Sequence, residues 1–249
     1  MTKWLFLPTI AVILLAGCSP VTSNPEAKAT SQLETPKASP SPAGAPPEPT
    51  PTIFISPTPP PRFFTEEFGV EPAYWTRLVT NGEGVPQASV EKNLLNMTLA
   101  EPYTWVYQLF EPYEYADVRV DALFEPRGSE PSATGVICRY SEESGWYEFN
   151  ISRDGTYNIL LGQWLMGGIA QYVPILYDES EYIKPELAAF EIGLACQGDI
   201  LWLYINGKLI RKVDVERFGL FKGKIGLAAA SFENTPVISV FDWIKVSEP

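Results

Sequence analysis

Beyond Phe63, hydrophobic and polar residues alternate in short runs of period two, and Gly, Asn, Asp or Pro breaks these runs at a spacing of roughly 8–12 residues. No long run has the helical period. Alternation of this kind is typical of half-buried β-strands. The predicted strands are 93–99, 105–110, 117–124, 135–140, 146–151, 157–161, 190–196, 200–206, 208–213, 224–230 and 238–246.

The breaks between the runs carry residues that favour tight hairpins. Asn206-Gly207 is typical of a type I′ turn, Gly198-Asp199 separates two apolar runs, and a turn at 153–156 closes a further hairpin. This number of strands at this spacing predicts an all-β domain over residues 63–249. We expect a two-sheet antiparallel jelly-roll sandwich, with a closed barrel as the alternative.

The alternation also predicts which side chains lie between the sheets. Pairing Tyr140 with Tyr147 points Cys138 inward, and pairing Cys196 with Leu201 points Cys196 inward, on strands that could belong to opposite sheets. The two cysteines then either form a disulfide, which an exported protein can keep, or remain buried free thiols. As nucleophiles they are disfavoured, because burial raises a thiol pKa.

The outer face of the first of these hairpins is predicted to be polar and aromatic. Arg139 would lie across from Glu148 as an ion pair, with Trp146 beside it. Planar rings together with amide and charged groups suit a sugar site, whereas the alternative is a weak surface pair with a packed ring. The candidate ligand-binding residues are Arg139, Trp146, Glu148, Asn150, Asn158 and Trp164, and Tyr172, Tyr177 and Tyr182 could wall the site.

The amino-terminal segment predicts a bacterial lipoprotein. An apolar run from Trp4 to Ala16 follows a single Lys3 and ends at Cys18 in the tetrapeptide Leu-Ala-Gly-Cys. The run is shorter than the ~20 residues that a spanning helix needs, so residues 1–17 are expected to be a signal peptide that is removed. Cys18 would then carry the acyl chains that hold the protein on a bacterial membrane, at the cell surface or in the periplasm. The alternative is an ordinary secretory signal with an incidental cysteine.

Residues 18–62 are rich in Pro, Ser, Thr and Ala. Such a composition cannot bury enough apolar surface to form a core, so we expect a disordered linker, called the stalk below. Its fully stretched length would be about 130 Å at ~3.1 Å per residue.

Charge and composition exclude several functions. The chain has 30 acidic against 18 basic residues, a net charge of −12, and no histidine. Nucleic acids and anionic lipid surfaces are therefore unfavourable partners for the domain itself, so the membrane contact is expected to be made by the lipid anchor. Without histidine, Ser-His-Asp and Cys-His catalysis and histidine-ligated metal sites are excluded.

No cofactor or metal site is predicted. The acidic cluster Asp178, Glu179 and Glu181 falls in what reads as a long loop between Pro174 and Pro185. Calcium would be the ion for such a cluster, but the spacing matches no calcium-binding loop, and a solvated rim is the better explanation.

Several segments together resemble the concanavalin A-like lectin/glucanase superfamily, and within it the LamG-type and 3-keto-disaccharide hydrolase domains of bacterial surface proteins. They are 68–75, 117–120, 135–140, 146–151, 196–199, 203–208 and 241–243. The resemblance implies a jelly roll that often binds glycan on its concave face, sometimes holds calcium at a rim, and in some branches hydrolyses glycans. The Glu-x-Asp-x-x-Glu motif of the laminarinase-like enzymes is absent, so no catalytic residue is predicted.

Three functions follow as hypotheses. The first is a non-catalytic carbohydrate-binding module on a lipoprotein. The second is a structural or protein-interaction lipoprotein that binds an envelope protein, for which Trp202 and Tyr204 would form an exposed apolar patch. The third is a glycoside hydrolase that uses the carboxyl groups of Glu148 and Asp121.

Overall fold

The computed structural model describes residues 60–249. The predicted signal peptide (1–17), Cys18 and nearly all of the stalk (18–62) lie outside the described residues. The strands are β1 Phe64–Glu66, β2 Trp75–Thr80, β3 Gln87–Glu91, β4 Leu94–Leu99, β5 Trp105–Phe110, β6 Val118–Gly128, β7 Ser132–Ser141, β8 Gly145–Ile151, β9 Thr156–Met166, β10 Ile169–Glu179, β11 Phe190–Gln197, β12 Ile200–Ile205, β13 Lys208–Asp214, β14 Lys224–Ser231 and β15 Val237–Ser247, with a 3₁₀ turn at Glu216–Phe218.

The strands form two antiparallel sheets, which confirms the predicted sandwich. The eight-stranded sheet has the order β13-β12-β11-β6-β15-β4-β3, and β1 pairs with the carboxyl end of β15. The seven-stranded sheet has the order β10-β9-β8-β7-β14-β5-β2. No helix within residues 60–249 has the length and apolar character that crossing a membrane requires.

The main core lies between the sheets and includes inward side chains that the alternation predicts, together with residues of the connecting segments. Cys196 pairs with Leu201 as expected, and both are fully buried. The structure contains a disulfide between Cys138 on β7 and Cys196 on β11, with the two Cα atoms 6.8 Å apart. The bridge therefore links the two sheets through the middle of the core.

The sequence pattern did not predict four strands, β1, β2, β3 and β10, and β10 contributes residues to the candidate site. The stretch 169–179, predicted as a loop, is the edge strand β10 and includes Asp178 and Glu179. Proline is tolerated in edge strands, where its missing N–H breaks no ladder on the free side. Pro174 lies where β10 slips in register against β9, so the proline that argued against a strand marks an irregularity within it.

Arg139 corrects a second prediction. Cys138, not Tyr140, pairs with Tyr147, and Ile137 lies opposite Glu148, a register shift of two residues. The β7–β8 ladder is irregular between Cys138 and Ser141, and Arg139 there has a positive φ of 55°. The predicted pairing of Arg139 with Glu148 on an exposed face is therefore wrong.

The guanidinium of Arg139 lies inside the protein, and the residue is 2% exposed. It donates hydrogen bonds to three backbone carbonyls, those of Ala116 at 2.9 and 3.1 Å, Leu220 at 2.7 Å and Gly198 at 2.7 Å. Burial lowers the pKa of Arg139 from its ordinary value. Arg139 thus ties together three connecting segments and is not available to a ligand.

Candidate functional site

A buried carboxyl group lies at the centre of the outer face of the seven-stranded sheet. Glu148 projects from β8 and is 0% exposed. Its Oε2 accepts hydrogen bonds from the hydroxyl of Tyr107 at 2.7 Å and from Nε1 of Trp146 at 3.1 Å, and its Oε1 accepts one from Nδ2 of Asn150 at 2.7 Å. Every side-chain donor in this set is neutral.

Burial dominates the electrostatics of this cluster. Loss of solvent raises the pKa of Glu148, although the three hydrogen bonds that it accepts act in the opposite direction. The hydroxyl pKa values of Tyr107 and Tyr172 are also raised by burial and by the neighbouring carboxyl group. Burial on this face therefore moves the titration of Glu148 to higher pH.

A strand hairpin covers this carboxyl group. The distal part of the β9–β10 hairpin, residues 162–172, reaches across the sheet to the end of β2 and is called the arch below. Asn81 fastens its tip, because its N–H donates to the carbonyl of Gly168 at 3.1 Å and its side chain exchanges two hydrogen bonds with the backbone of Ala170. Tyr172 stacks on Trp105 with ring centroids 4.6 Å apart and bonds the hydroxyls of Tyr107 and Thr80.

The structure brings together five of the six predicted site residues. Asn158 lies opposite Asn150, as predicted, with Nδ2 of Asn150 3.3 Å from Oδ1 of Asn158. The rings of Trp146 and Trp164 are 5.6 Å apart. Trp146, Glu148 and Asn150 are fully buried, whereas Asn158 and Trp164 are partly exposed. The sixth, Arg139, points to the other side of the sheet.

One end of the face remains open and forms a pocket of about 270 Å³. Tyr177 is 65% exposed there, and Asn158 lies across from it on β9. The pocket is lined by Pro131, Ser132, Ala133, Ile151, Ser152, Asp154, Thr156, Asn158, Tyr177 and Phe232. Phe232 was missed by the sequence analysis; the signal was an aromatic residue directly after the small residues of β14.

Two unmet hydrogen-bonding groups lie beside this pocket. Among residues 60–249, the buried side-chain oxygens without a partner are Oδ1 of Asn150 and Oγ of Ser152. Ser152 lines the pocket, and Asn150 contacts its lining residue Asn158. Nearly all buried polar groups in proteins have partners, so these two oxygens are exceptions within residues 60–249.

The opposite end of the face is apolar. A crevice of about 410 Å³ is lined by Leu78, Tyr140, Glu142, Trp164, Leu165, Met166, Gly167 and Gly168. Leu165 and Met166 at the tip of the arch are 62% and 64% exposed. The arch thus divides the face into a polar opening and an apolar one.

The predicted carboxyl pair Glu148 and Asp121 does not share a face. Asp121 lies on β6 in the other sheet, between the fully buried Val120 and Ala122, and so points to the far side of the sandwich. It is held by Arg119, whose Nε and guanidinium NH₂ donate at 2.8–3.0 Å. The two carboxyl groups therefore cannot flank one glycosidic bond.

The predicted apolar patch on the eight-stranded sheet is capped by cations. The ammonium of Lys212 lies 3.6 Å from the ring centroid of Trp202, and the guanidinium carbon of Arg119 lies 4.0 Å from that of Tyr204. Both rings are half-buried. In the described part of the chain, no group of three or more acidic or cysteine side chains is placed to hold a metal ion.

No protein-family model and no curated protein matches this sequence. Solved structures do match. A β-glucanase from Bacillus licheniformis matches with a TM-score of 0.53 at 11% identity, covering 75% of this chain and 98% of that chain. A Bacillus subtilis protein of unknown function with a galectin-like fold matches with a TM-score of 0.54 at 14% identity, covering 74% and 94%. The domain has the concanavalin A-like jelly-roll fold. The catalytic domain of an endo-1,3-β-glucanase from Thermotoga petrophila also matches, with a TM-score of 0.51 at 14% identity over 74% and 96% of the two chains.

The buried carboxyl group of this concanavalin A-like domain should make its stability pH-dependent. Because the pKa of Glu148 is raised in the folded state, the free energy of unfolding should fall as pH rises from the ordinary value of 4.5 toward the raised pKa. Glu148→Gln should remove up to about 1.4 kcal/mol per pH unit of that slope. Chemical denaturation across pH 4–8 measures it.

A control separates this effect from general acid titration. The pKa of Glu125 is lowered by Arg127, so Glu125→Gln should change the profile only as pH falls below 4.5. Glu130, whose pKa burial raises, contributes in the same direction as Glu148 and should be replaced separately. If the free energy of unfolding of Glu148→Gln had the wild-type dependence on pH above 4.5, the pKa of Glu148 would not be raised in the folded protein.

Proposed function

We propose that this chain is a membrane-tethered carbohydrate-binding module that holds a saccharide in the pocket between Tyr177 and Asn158. The observation that carries the proposal is the exposed ring of Tyr177 across from the amide of Asn158, in a pocket that is also lined by Ser152, whose buried Oγ lacks a hydrogen-bond partner. A sugar ring offers an apolar face for stacking and hydroxyl groups that can donate to such oxygens. At about 270 Å³ the pocket is just below the ~300–1,000 Å³ typical of small-molecule sites, so it suits a chain end or a short saccharide.

The tether is part of the same proposal. Cys18 would carry the lipid, and the stalk would hold the domain away from an extracytoplasmic bacterial membrane surface. The strong negative charge of the chain fits this arrangement, because the domain itself would be repelled by anionic lipids and by anionic glycans.

A binding role has more support than a hydrolytic one. Hydrolysis requires two carboxyl groups about 5–9.5 Å apart around the scissile bond. Glu148 is sealed beneath the arch, and Asp121 lies on the opposite side of the sandwich. Because two structural neighbours are named as β-glucanases, one of them an endo-1,3-β-glucanase, soluble β-glucan oligosaccharides, including 1,3-linked ones, are the first ligands to test.

Binding should depend on the pocket residues. Tyr177→Ala removes the stacking surface and Asn158→Ala removes an amide, so each should weaken β-glucan oligosaccharide binding about tenfold in calorimetry. Tyr182→Ala is the matched control, because this partly exposed tyrosine lies outside the pocket. Equal affinity of Tyr177→Ala and wild type for a bound oligosaccharide would rule out this pocket.

The apolar tip of the arch favours a second function, contact with an envelope protein. Leu165, Met166 and Ile169 are exposed together, and exposed apolar clusters are typical of interaction sites. Leu165→Ser with Met166→Ser should abolish binding of such a partner and leave oligosaccharide binding unchanged.

A further inference from the structure

Two tyrosines hold the last residues of the stalk where it meets the domain. The hydroxyl of Tyr113 donates to the carbonyl of Pro60 at 2.7 Å, and the hydroxyl of Tyr115 donates to the carbonyl of Arg62 at 2.7 Å. A guanidinium NH₂ of Arg62 donates in return to the carbonyl of Glu114 at 2.9 Å. Three hydrogen bonds thus join two stalk residues to three residues of one connecting segment.

The same tyrosines also contact the stalk through their rings. The guanidinium carbon of Arg62 lies 4.8 Å from the ring centroid of Tyr115 and 5.6 Å from that of Tyr113, within range of a cation–π interaction. The ring of Phe63 packs against Tyr115 at 6.2 Å. The two tyrosines therefore bind the stalk in two ways. Their hydroxyls donate to its backbone carbonyls, and their rings contact the guanidinium of Arg62.

The tyrosine pair is itself fixed to the sandwich. Tyr115 is fully buried, and its backbone exchanges hydrogen bonds of 2.8 and 3.1 Å with Gly223, directly before β14. A proline-rich chain makes no internal backbone hydrogen bonds, so its carbonyls are free to accept from such hydroxyls. Aromatic grooves with hydroxyl donors are a recurrent way to bind proline-rich segments.

We propose that Tyr113 and Tyr115 form a docking groove for the stalk of this chain, which fixes the point where the stalk leaves the domain. Strand β14 shows where that point lies. It begins at Lys224, next to Gly223 and the groove, and ends at Ser231, next to Phe232 of the pocket. Its eight residues span about 25 Å at ~3.3 Å each.

The stalk therefore joins one end of the sandwich and the pocket opens at the other. If the proposed binding function holds, on which this consequence rests, the saccharide pocket opens at the end of the domain opposite to residues 60–62. The docking itself does not depend on that function.

Limited trypsin digestion of the full chain tests the docking. The bond after Arg62 should be cut slowly, and the double variant Tyr113→Phe, Tyr115→Phe, which keeps both rings but loses both hydroxyls, should be cut there about 10- to 30-fold faster. Cleavage after Lys37 in the stalk is the internal standard, and Tyr103→Phe, an exposed tyrosine elsewhere, is the matched control. An unchanged rate after Arg62 in the double variant, measured on protein whose melting temperature shows it folded, would overturn the proposal.

The placement of the pocket is tested by steric blocking. Streptavidin coupled through biotin to Lys222→Cys, beside the groove, should leave β-glucan oligosaccharide binding intact, whereas coupling to Arg153→Cys, beside the pocket, should abolish it. Blocking by the label at 222, or by neither label, contradicts the placement. If the unlabelled protein binds no oligosaccharide, the proposed binding function is wrong. The docking of the stalk is then still tested by the trypsin digestion.

Discussion

Replacing both Cys138 and Cys196 by alanine should lower the free energy of unfolding of the domain by about 4 kcal/mol. The bridge joins residues 58 positions apart, and closing a loop of that length removes a large part of the conformational entropy of the unfolded chain. It also links β7 of one sheet to β11 of the other, so the double alanine variant would lose this covalent link between the two sheets. Guanidinium denaturation of both proteins under non-reducing conditions measures the difference.

The reductant provides the control for this prediction. Dithiothreitol should shift the denaturation midpoint of the wild type toward that of the double alanine variant, and it should leave the variant itself unchanged. A double variant within about 1 kcal/mol of the oxidised wild type would mean that packing of the two sheets, rather than the bridge, supplies the stability of this region.

Local alternation was sufficient to predict much of this fold. The hairpin that pairs Cys196 with Leu201 and the pairing of Asn150 with Asn158 are both confirmed, because each depends only on a short turn and on which face is apolar. The register at Tyr147 was wrong by two residues, yet Cys138 still points inward, because an even shift keeps the side chains on their own face as far as the ladder stays regular, up to Cys138.

What the sequence did not predict depends on contacts between distant segments. An irregularity inside β7 turns the side chain of Arg139 to the opposite side of the sheet. The alternation of polar and apolar residues does not show where a strand contains such an irregularity. The arch is held over Glu148 by contacts with segments far away in the chain, among them the hydrogen bonds of Asn81, about ninety positions before it, to Ala170. A set of polar and aromatic residues on one face was therefore predictable, but its burial was not.

Arg139 is buried, and replacing it should also lower the free energy of unfolding strongly. Arg139→Met keeps the length and apolar stem of the side chain but leaves the carbonyls of Ala116, Leu220 and Gly198 without their donor. A buried carbonyl without a partner costs about 1–3 kcal/mol. The carbonyl of Leu220 is buried, whereas Ala116 and Gly198 are exposed residues whose carbonyls water can solvate, so the free energy of unfolding should fall by about 1–3 kcal/mol. Arg139→Lys should be intermediate, because one ammonium group on a flexible stem cannot reproduce the planar fork that reaches three acceptors.

An exposed arginine shows whether this loss reflects burial rather than the removal of a charge. Arg127 pairs with Glu125 at 2.6 Å with almost half of its side chain exposed, so Arg127→Met should cost under about 1 kcal/mol. Urea denaturation of the three variants and the wild type gives the ranking. If Arg139→Met were no less stable than Arg127→Met, the three carbonyls would have to find other donors, and the guanidinium would not be what holds these connections together. Because Arg139 is next to Cys138 in sequence, its effect should also be measured in the Cys138→Ala, Cys196→Ala background, where neighbouring losses need not add.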